Sequence, residues 1–140
     1  LILLAIGVAG FVGTLFVALV LNAAFYITLI AIPLLMAAIA VALILAGHNV
    51  WIVTLLSGLW GMLATSAPTG WWTWIARTLP KDAEAGGGLM VAVIQLAIAL
   101  GSTAGGIAFD RYRWQSTFAL SGIVLLFAAA LTFLLSRLHK

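Results

Sequence analysis

Five long apolar segments account for most of this chain, and they decide what it can fold into. Each segment is close to the roughly 20 residues that an α-helix needs to cross a hydrocarbon core of about 30 Å. Backbone amides find no water in that core, so only helices and closed barrels cross it. The roughly ten-residue alternation of barrel strands is missing from the sequence. We therefore predict an all-α, polytopic transmembrane helix bundle with spans at about 2–21, 25–46, 50–76, 87–109 and 117–136.

The low content of charged residues supports the same class of protein. Charged residues make up 6% of the chain, whereas soluble domains carry about 25%, so these residues could not cover a water-facing surface. The net charge of +3 lies at the ends of the spans, which indicates membrane topology rather than nucleic-acid binding. The sequence contains no cysteine, which excludes disulfides and thiol chemistry.

Basic residues are divided unequally between the two predicted membrane faces. One face carries Arg77, Lys81, Arg137 and Lys140, and the other carries Arg111 and Arg113. Because cytoplasmic loops collect Lys and Arg, we expect the C-terminus to be cytoplasmic.

The polar residues are concentrated in spans three and four. Span two is almost wholly aliphatic from Leu29 to Leu45, and span five is similar from Ile123 to Leu135. Polar side chains within hydrocarbon usually face the interior of the bundle or a wet cavity. We therefore expect spans three and four to form the inner pair, with spans two and five facing lipid.

Two spans carry glycines at spacings that suit close helix packing. Span one contains Gly7, Gly10 and Gly13, and span four contains the pair Gly101 and Gly105. Without a Cβ atom, two helix backbones can approach closely and gain dispersion contacts. Static packing is one interpretation of these glycines, and a sliding interface between moving helices is the other.

Pro68 and Gly70 interrupt the third span. Proline removes an amide donor and clashes with the preceding turn, so we expect a kink or a break there. Discontinuous helices build the binding sites of many transporters. A gating or binding role for this segment therefore competes with a purely structural kink.

Gln95 is the most polar side chain deep within any span, and Ser102 lies on nearly the same helical face. Leaving an amide group without hydrogen-bond partners in hydrocarbon is costly. The two side chains are interpreted either as part of a stripe that faces a substrate or as the origin of an interhelical hydrogen bond.

The interiors of the spans contain no Asp, Glu, Lys, Arg or His. Catalytic acids and bases, metal ligands and phosphate-binding loops are therefore missing from them, and we expect no enzyme activity, no metal and no cofactor. Proton-coupled transporters use intramembrane carboxylates as relays. If the protein couples transport to protons, the titrating group lies outside these residues.

Two stretches of the sequence resemble the C-terminal half of major facilitator superfamily transporters. The run 79–95 is similar to the connection between their tenth and eleventh helices, and the run 105–118 is similar to the turn between their last two. The likeness is strongest to bacterial efflux permeases for drugs and sugars, including antiporters. It implies helices eight to twelve of a multi-pass inner-membrane protein with a cytoplasmic C-terminus, whose N-terminal half is missing.

The resemblance implies alternating access, in which this half rocks against the missing half around a small organic solute. We expect five side chains to face the central cavity and to bind the solute: Gln95, Ser102, Trp60, Thr65 and Ser57. Two features depart from the family pattern. The first turn, from Leu19 to Thr28, carries no charge, and Arg113 stands where relatives commonly have glycine.

The alternative interpretation is a non-transporting membrane scaffold, or a transporter remnant, that packs against partner helices.

Overall fold

Residues 1–139 are described by a computed structural model, and they form an all-helical bundle. The five helices are α1 (Ile2–Ala23), α2 (Phe25–Ala46), α3 (Val50–Thr78), α4 (Ala83–Tyr112) and α5 (Trp114–Leu138). All five are long and apolar enough to cross a membrane. The predicted class, a polytopic bundle of about five helices, is confirmed.

The connections between helices are short, so consecutive helices run in opposite directions. A single residue, Ala24, separates α1 from α2, and its amide donates back to the carbonyl of Val20 at 3.0 Å. Asn49 caps α3, because its Oδ1 accepts from the amides of Trp51 and Ile52. These two bonds satisfy donors that a helix N-terminus otherwise leaves free.

α3 is continuous from Val50 to Thr78, so of the two outcomes expected at Pro68 and Gly70, a kink or a break, the break is wrong. Pro33 is likewise accommodated inside α2. Membrane helices tolerate proline because neighbouring helices and hydroxyl side chains satisfy the freed backbone groups. The hydroxyls of Thr69 and Thr73 donate to the carbonyls of Thr65 and Thr69, one turn back on α3, and not to the carbonyl of Ala64 that Pro68 leaves without its helical donor.

The arrangement of the helices also differs from the expected inner pair. α2 packs against both α3 and α5 and carries most of the buried apolar residues, including Leu29, Ala40 and Leu43. α4 packs mainly against α5 and has one buried residue, Gly87. Within residues 1–139, the aliphatic span two is therefore central and the polar span four is peripheral. This order of burial reflects only the helix contacts made within residues 1–139.

Candidate functional site

The contact between α1 and α3, called the α1–α3 seam below, is a close one that depends on glycine. A Cβ atom added to Gly13 would lie 2.5 Å from Met62, and one added to Gly61 would lie 2.7 Å from Ile6. Both positions would also meet backbone oxygens of the facing helix. Glycine at these two positions is therefore what allows the two backbones to pack at this distance.

Thr65 contributes a polar contact to the same seam. Its hydroxyl donates to the carbonyl oxygen of Gly10 on α1 at 2.9 Å and also lies within 3.1 Å of the carbonyl of Gly61 on its own helix. A Cβ atom on Gly10 would come within 3.0 Å of the Thr65 methyl group. Thr65, expected to face a cavity, thus makes a hydrogen bond between helices.

Trp60 lies at an open groove formed by α3, α4 and α5. The groove has a volume of about 480 Å³, and its wall on α4 includes Gly101, Ala104 and Gly105. The Trp60 indole is half-buried and meets the ring of Phe118 edge to face, with centroids 6.4 Å apart. The groove is therefore lined by an aromatic side chain of α3 and by small residues of α4.

Gln95 and Ser102 lie on a different face of α4. At about 100° per residue, they are rotated by close to half a turn from Ala97 and Ala104, which line the groove. Both side chains are exposed, and the Ser102 hydroxyl donates to the carbonyl of Ile98 on its own helix at 2.7 Å. The structure thus keeps these two residues together and separates them from Trp60.

The remaining predicted residues are distributed over several surfaces. Ser57 is half-buried on α3, and Gly70 lies against α2, where an added Cβ would be 2.6 Å from Leu29. Gly7 and Gly101 have no atom within 4 Å of an added Cβ among the described residues. Only some of the predicted packing glycines are therefore covered by the helices described here.

A second cavity is more apolar than the groove. It measures about 330 Å³ between α1, α2 and α3, and its walls include Val17, Ile32 and Met62. Carbon atoms form nearly all of its surface, which suits hydrocarbon better than a polar solute.

The turn between α4 and α5 contains a strained residue whose conformation the sequence did not reveal. Arg113 has φ 71° and ψ 179°, a region that side-chain-bearing residues rarely adopt. The Ser116 hydroxyl closes the turn: it lies 2.8 and 2.7 Å from the carbonyl oxygens of Ala108 and Arg113, and its one hydrogen is shared between these two acceptors. The available signal in the sequence was that the transporters it resembles commonly have glycine at this position, and glycine adopts a positive φ without steric cost.

Trp74 lies in an environment that the sequence alone did not predict. Its indole Nε1 is buried without a hydrogen-bond partner among residues 1–139, and its ring meets that of His139 at 5.9 Å. Within that same part of the chain, no three His, Cys, Asp or Glu residues cluster as metal ligands. The described side chains thus offer packing, hydroxyl, amide and aromatic contacts.

These features define a multi-pass helical membrane protein. The chain is 60% identical over 137 residues to the transcription regulatory protein OpdE of Pseudomonas aeruginosa, a match that covers 98% of this chain and 34% of the relative. It is 41% identical over 129 residues to the purine ribonucleoside efflux pump NepI of Salmonella enteritidis and of Salmonella typhimurium, covering 92% of this chain and 32% of each pump.

The chain thus spans about a third of the length of the curated relatives it matches. No protein-family model and no solved structure matches it.

Proposed function

We propose that these residues are the C-terminal part of a major facilitator superfamily transporter that exports a small organic solute across the bacterial inner membrane. The observation that carries the proposal is the 41% identity to an efflux pump over 92% of this chain. Five membrane-crossing helices with short connections are consistent with that assignment. Purine ribonucleosides are the first solutes to test, because the pump's name specifies them.

The proposed mechanism is alternating access between two bundles, with solute bound where they meet. Gln95 and Ser102 are the described groups best suited to meet the solute, since both are exposed on one face of α4. An amide and a hydroxyl can together donate to and accept from a nucleoside or sugar. Trp60, Thr65 and Ser57 are weaker candidates. The Thr65 hydroxyl already donates to the carbonyl of Gly10, and Trp60 lies at the groove, away from the face of α4 that carries Gln95 and Ser102. The carboxylate for any proton coupling would come from other parts of the protein.

The test compares the efflux of several radiolabelled purine ribonucleosides from cells that produce the full-length protein with Gln95→Ala. We expect the order of preference among purine nucleosides to change while the amount of protein in the membrane is unchanged. Leu96→Ala is the matched control, since Leu96 is an exposed neighbour on the same helix without a polar group. Equal losses of transport and abundance in Gln95→Ala would show that Gln95 serves packing instead.

The name of the OpdE relative supports a second candidate, a membrane protein with a regulatory role. Its apolar helices would then hold a scaffold or sensor in the membrane rather than a route for solute. Deleting the gene separates the two candidates. Altered expression of other genes without any change in nucleoside efflux would favour regulation.

A further inference from the structure

Two helix hairpins in the bundle are joined by a single residue, the first between α1 and α2 and the second between α4 and α5. The apolar cavity of about 330 Å³ lies in the cleft of the first hairpin, with α3 forming its inner wall. At the outer edge of this cleft, Phe16, Ile27 and Leu35 are exposed within residues 1–139. The cavity therefore opens toward the surroundings of the bundle, which in a membrane are lipid chains.

The walls of the cavity suit hydrocarbon rather than a polar molecule. Thr28 and Ser66 are the residues in the wall that carry a hydroxyl group. Each hydroxyl already donates its one hydrogen to a carbonyl of its own helix at 2.7 Å, Thr28 to Ala24 and Ser66 to Met62. The side chains in the wall therefore have no hydrogen left to donate to a bound molecule.

The length of the cavity matches one leaflet of a bilayer. Its wall on α2 runs from Ala24 to Leu35, a distance of about 16 Å at 1.5 Å per residue. Half of a hydrocarbon core is about 15 Å thick. Because Ala24 lies in the turn between two membrane-crossing helices, a chain that lies in the cavity extends from one membrane face to about the middle of the membrane.

A positive charge lies at the end of the cavity that is nearest the membrane face. Arg77 follows Ser66 by eleven residues on α3, so it is on nearly the same helical face, about 20° away, and about 16 Å further along the helix axis. Its guanidinium lies 4.6 Å from the centre of the Phe25 ring, and Phe25 is the residue after Ala24. This cation–π contact holds the charge beside the end of the cavity.

We propose that the cavity binds one acyl chain of an anionic phospholipid whose phosphate pairs with Arg77. Arginine can donate two parallel hydrogen bonds to a phosphate, and basic residues beside clefts between membrane helices bind lipid head groups. The acidic residues of the same membrane face, Asp82 and Glu84, lie at the start of α4, which contributes no wall to the cavity. The proposal requires only that the protein spans a membrane, whichever solute it carries.

The first test measures lipid affinity by native mass spectrometry of the full-length protein in detergent, titrated with phosphatidylglycerol or phosphatidylcholine. We expect one phosphatidylglycerol to bind several-fold more tightly than phosphatidylcholine, and Arg77→Gln to abolish that preference. Arg137→Gln is the matched control. The Arg137 guanidinium likewise lies over an aromatic ring, that of Phe133, at 4.8 Å, but on α5, which contributes no wall to the cavity. Equal affinities in the unaltered protein, an unchanged preference in Arg77→Gln, or the same loss in both variants would overturn the proposal.

The second test locates the acyl chain and needs no variant. The full-length protein is placed in vesicles with phosphatidylglycerol that carries a photoreactive diazirine midway along one chain, and the adducts formed on irradiation are mapped by mass spectrometry of peptides. We expect the adducts to concentrate on the walls of the cavity, at residues such as Val20, Ala31 and Met62. Adducts spread evenly over the exposed helix surfaces would overturn the proposal. So would walls without adducts, which would show that a second copy or another part of the protein covers the cavity.

Filling the cavity gives a further check with the same lipid. Ala31→Trp places a large side chain in the cavity and should lower the adduct yield at Val20 and Met62 several-fold. Ala130→Trp is the control, because Ala130 is exposed on α5 and lies outside the cavities described above. An equal yield in both variants would show that the lipid lies elsewhere on the protein.

Discussion

The α1–α3 seam and the groove between α3, α4 and α5 both contain glycine, but the glycines are tightly packed at the seam and open at the groove. At the seam, Gly13 and Gly61 leave no space for even one more carbon atom. At the groove, Gly101 is open, and Gly105 is touched only by the Thr117 methyl group, 3.6 Å from an added Cβ. A glycine motif in a membrane helix therefore does not indicate how closely it is packed, because the partner helix decides that.

The hydrogen bond between helices is also shorter at the seam than at the groove. The hydroxyl of Thr65 crosses the seam to Gly10 at 2.9 Å, whereas that of Thr117 reaches Gly105 across the hairpin at 3.3 Å. The seam is thus complete within the described residues, whereas α4 meets the other described helices mainly through α5. Substitutions in the two regions should have correspondingly unequal effects.

The largest effect is expected for Gly61→Ala. The new methyl group would lie 2.7 Å from both the side chain and the carbonyl oxygen of Ile6. Backbone cannot move aside as a flexible side chain can, so we expect a loss of about 3 kcal/mol in the free energy of unfolding, at the upper end of ordinary overpacking. Denaturant-induced unfolding of the full-length protein in detergent measures this loss.

Gly7→Ala is the matched control for that substitution, because no described atom lies within 4 Å of its added Cβ. It should leave stability unchanged or raise it slightly, since alanine favours helix more than glycine does. If Gly61→Ala were as harmless as Gly7→Ala, the α1–α3 seam would be looser than the structure shows. A loss in Gly7→Ala would instead show that other parts of the full-length protein cover Gly7.

Arg113→Gly tests the turn of the second hairpin and should act in the opposite direction. Strain at φ 71° and ψ 179° costs about 1–3 kcal/mol for a residue with a side chain, and the greater freedom of glycine in the unfolded chain offsets about 0.5–1 kcal/mol of the gain. We expect a net stabilisation of about 1 kcal/mol, measured by the same denaturant titration.

Arg111→Gly removes the same charge from the last turn of α4, where the backbone is helical. It should destabilise the protein by up to about 1 kcal/mol. Opposite signs for the two substitutions would locate the effect in the backbone of residue 113. A loss of stability in both would indicate that the arginine charge matters more than the turn.

The sequence was sufficient to predict the five helices, because the length of an apolar run directly limits how a chain can cross a membrane. It was not sufficient to predict their order of burial. The polar residues of span four suggested an inner position, yet Gln95 and Ser102 are exposed within the described residues. Burial depends on which helices meet, and in membranes polarity marks a face that needs a partner without specifying it.

The same limit applies to individual residues of the candidate site. Proline removes a donor, so the sequence indicated a kink or a break at Pro68, but it could not show that α3 continues through it. Thr65 was grouped with Gln95 because both are polar, whereas the structure places its hydroxyl against α1. Spacing along one helix indicates which residues share a face, and only the packing of several helices decides what that face contacts.

The smallest effect is expected for Thr65→Val, which removes the hydrogen bond to Gly10 and keeps the side-chain shape. Interhelical hydrogen bonds in membrane proteins contribute about 0.6 kcal/mol on average, so we expect a loss of that order in the free energy of unfolding. Thr103→Val is the control, because the hydroxyl of Thr103 donates only to Ala99, one turn back on α4. If Thr65→Val also changed nucleoside preference, which Thr103→Val should not, Thr65 would contact solute as well as α1. Equal, negligible effects would mean that the glycines alone hold the α1–α3 seam.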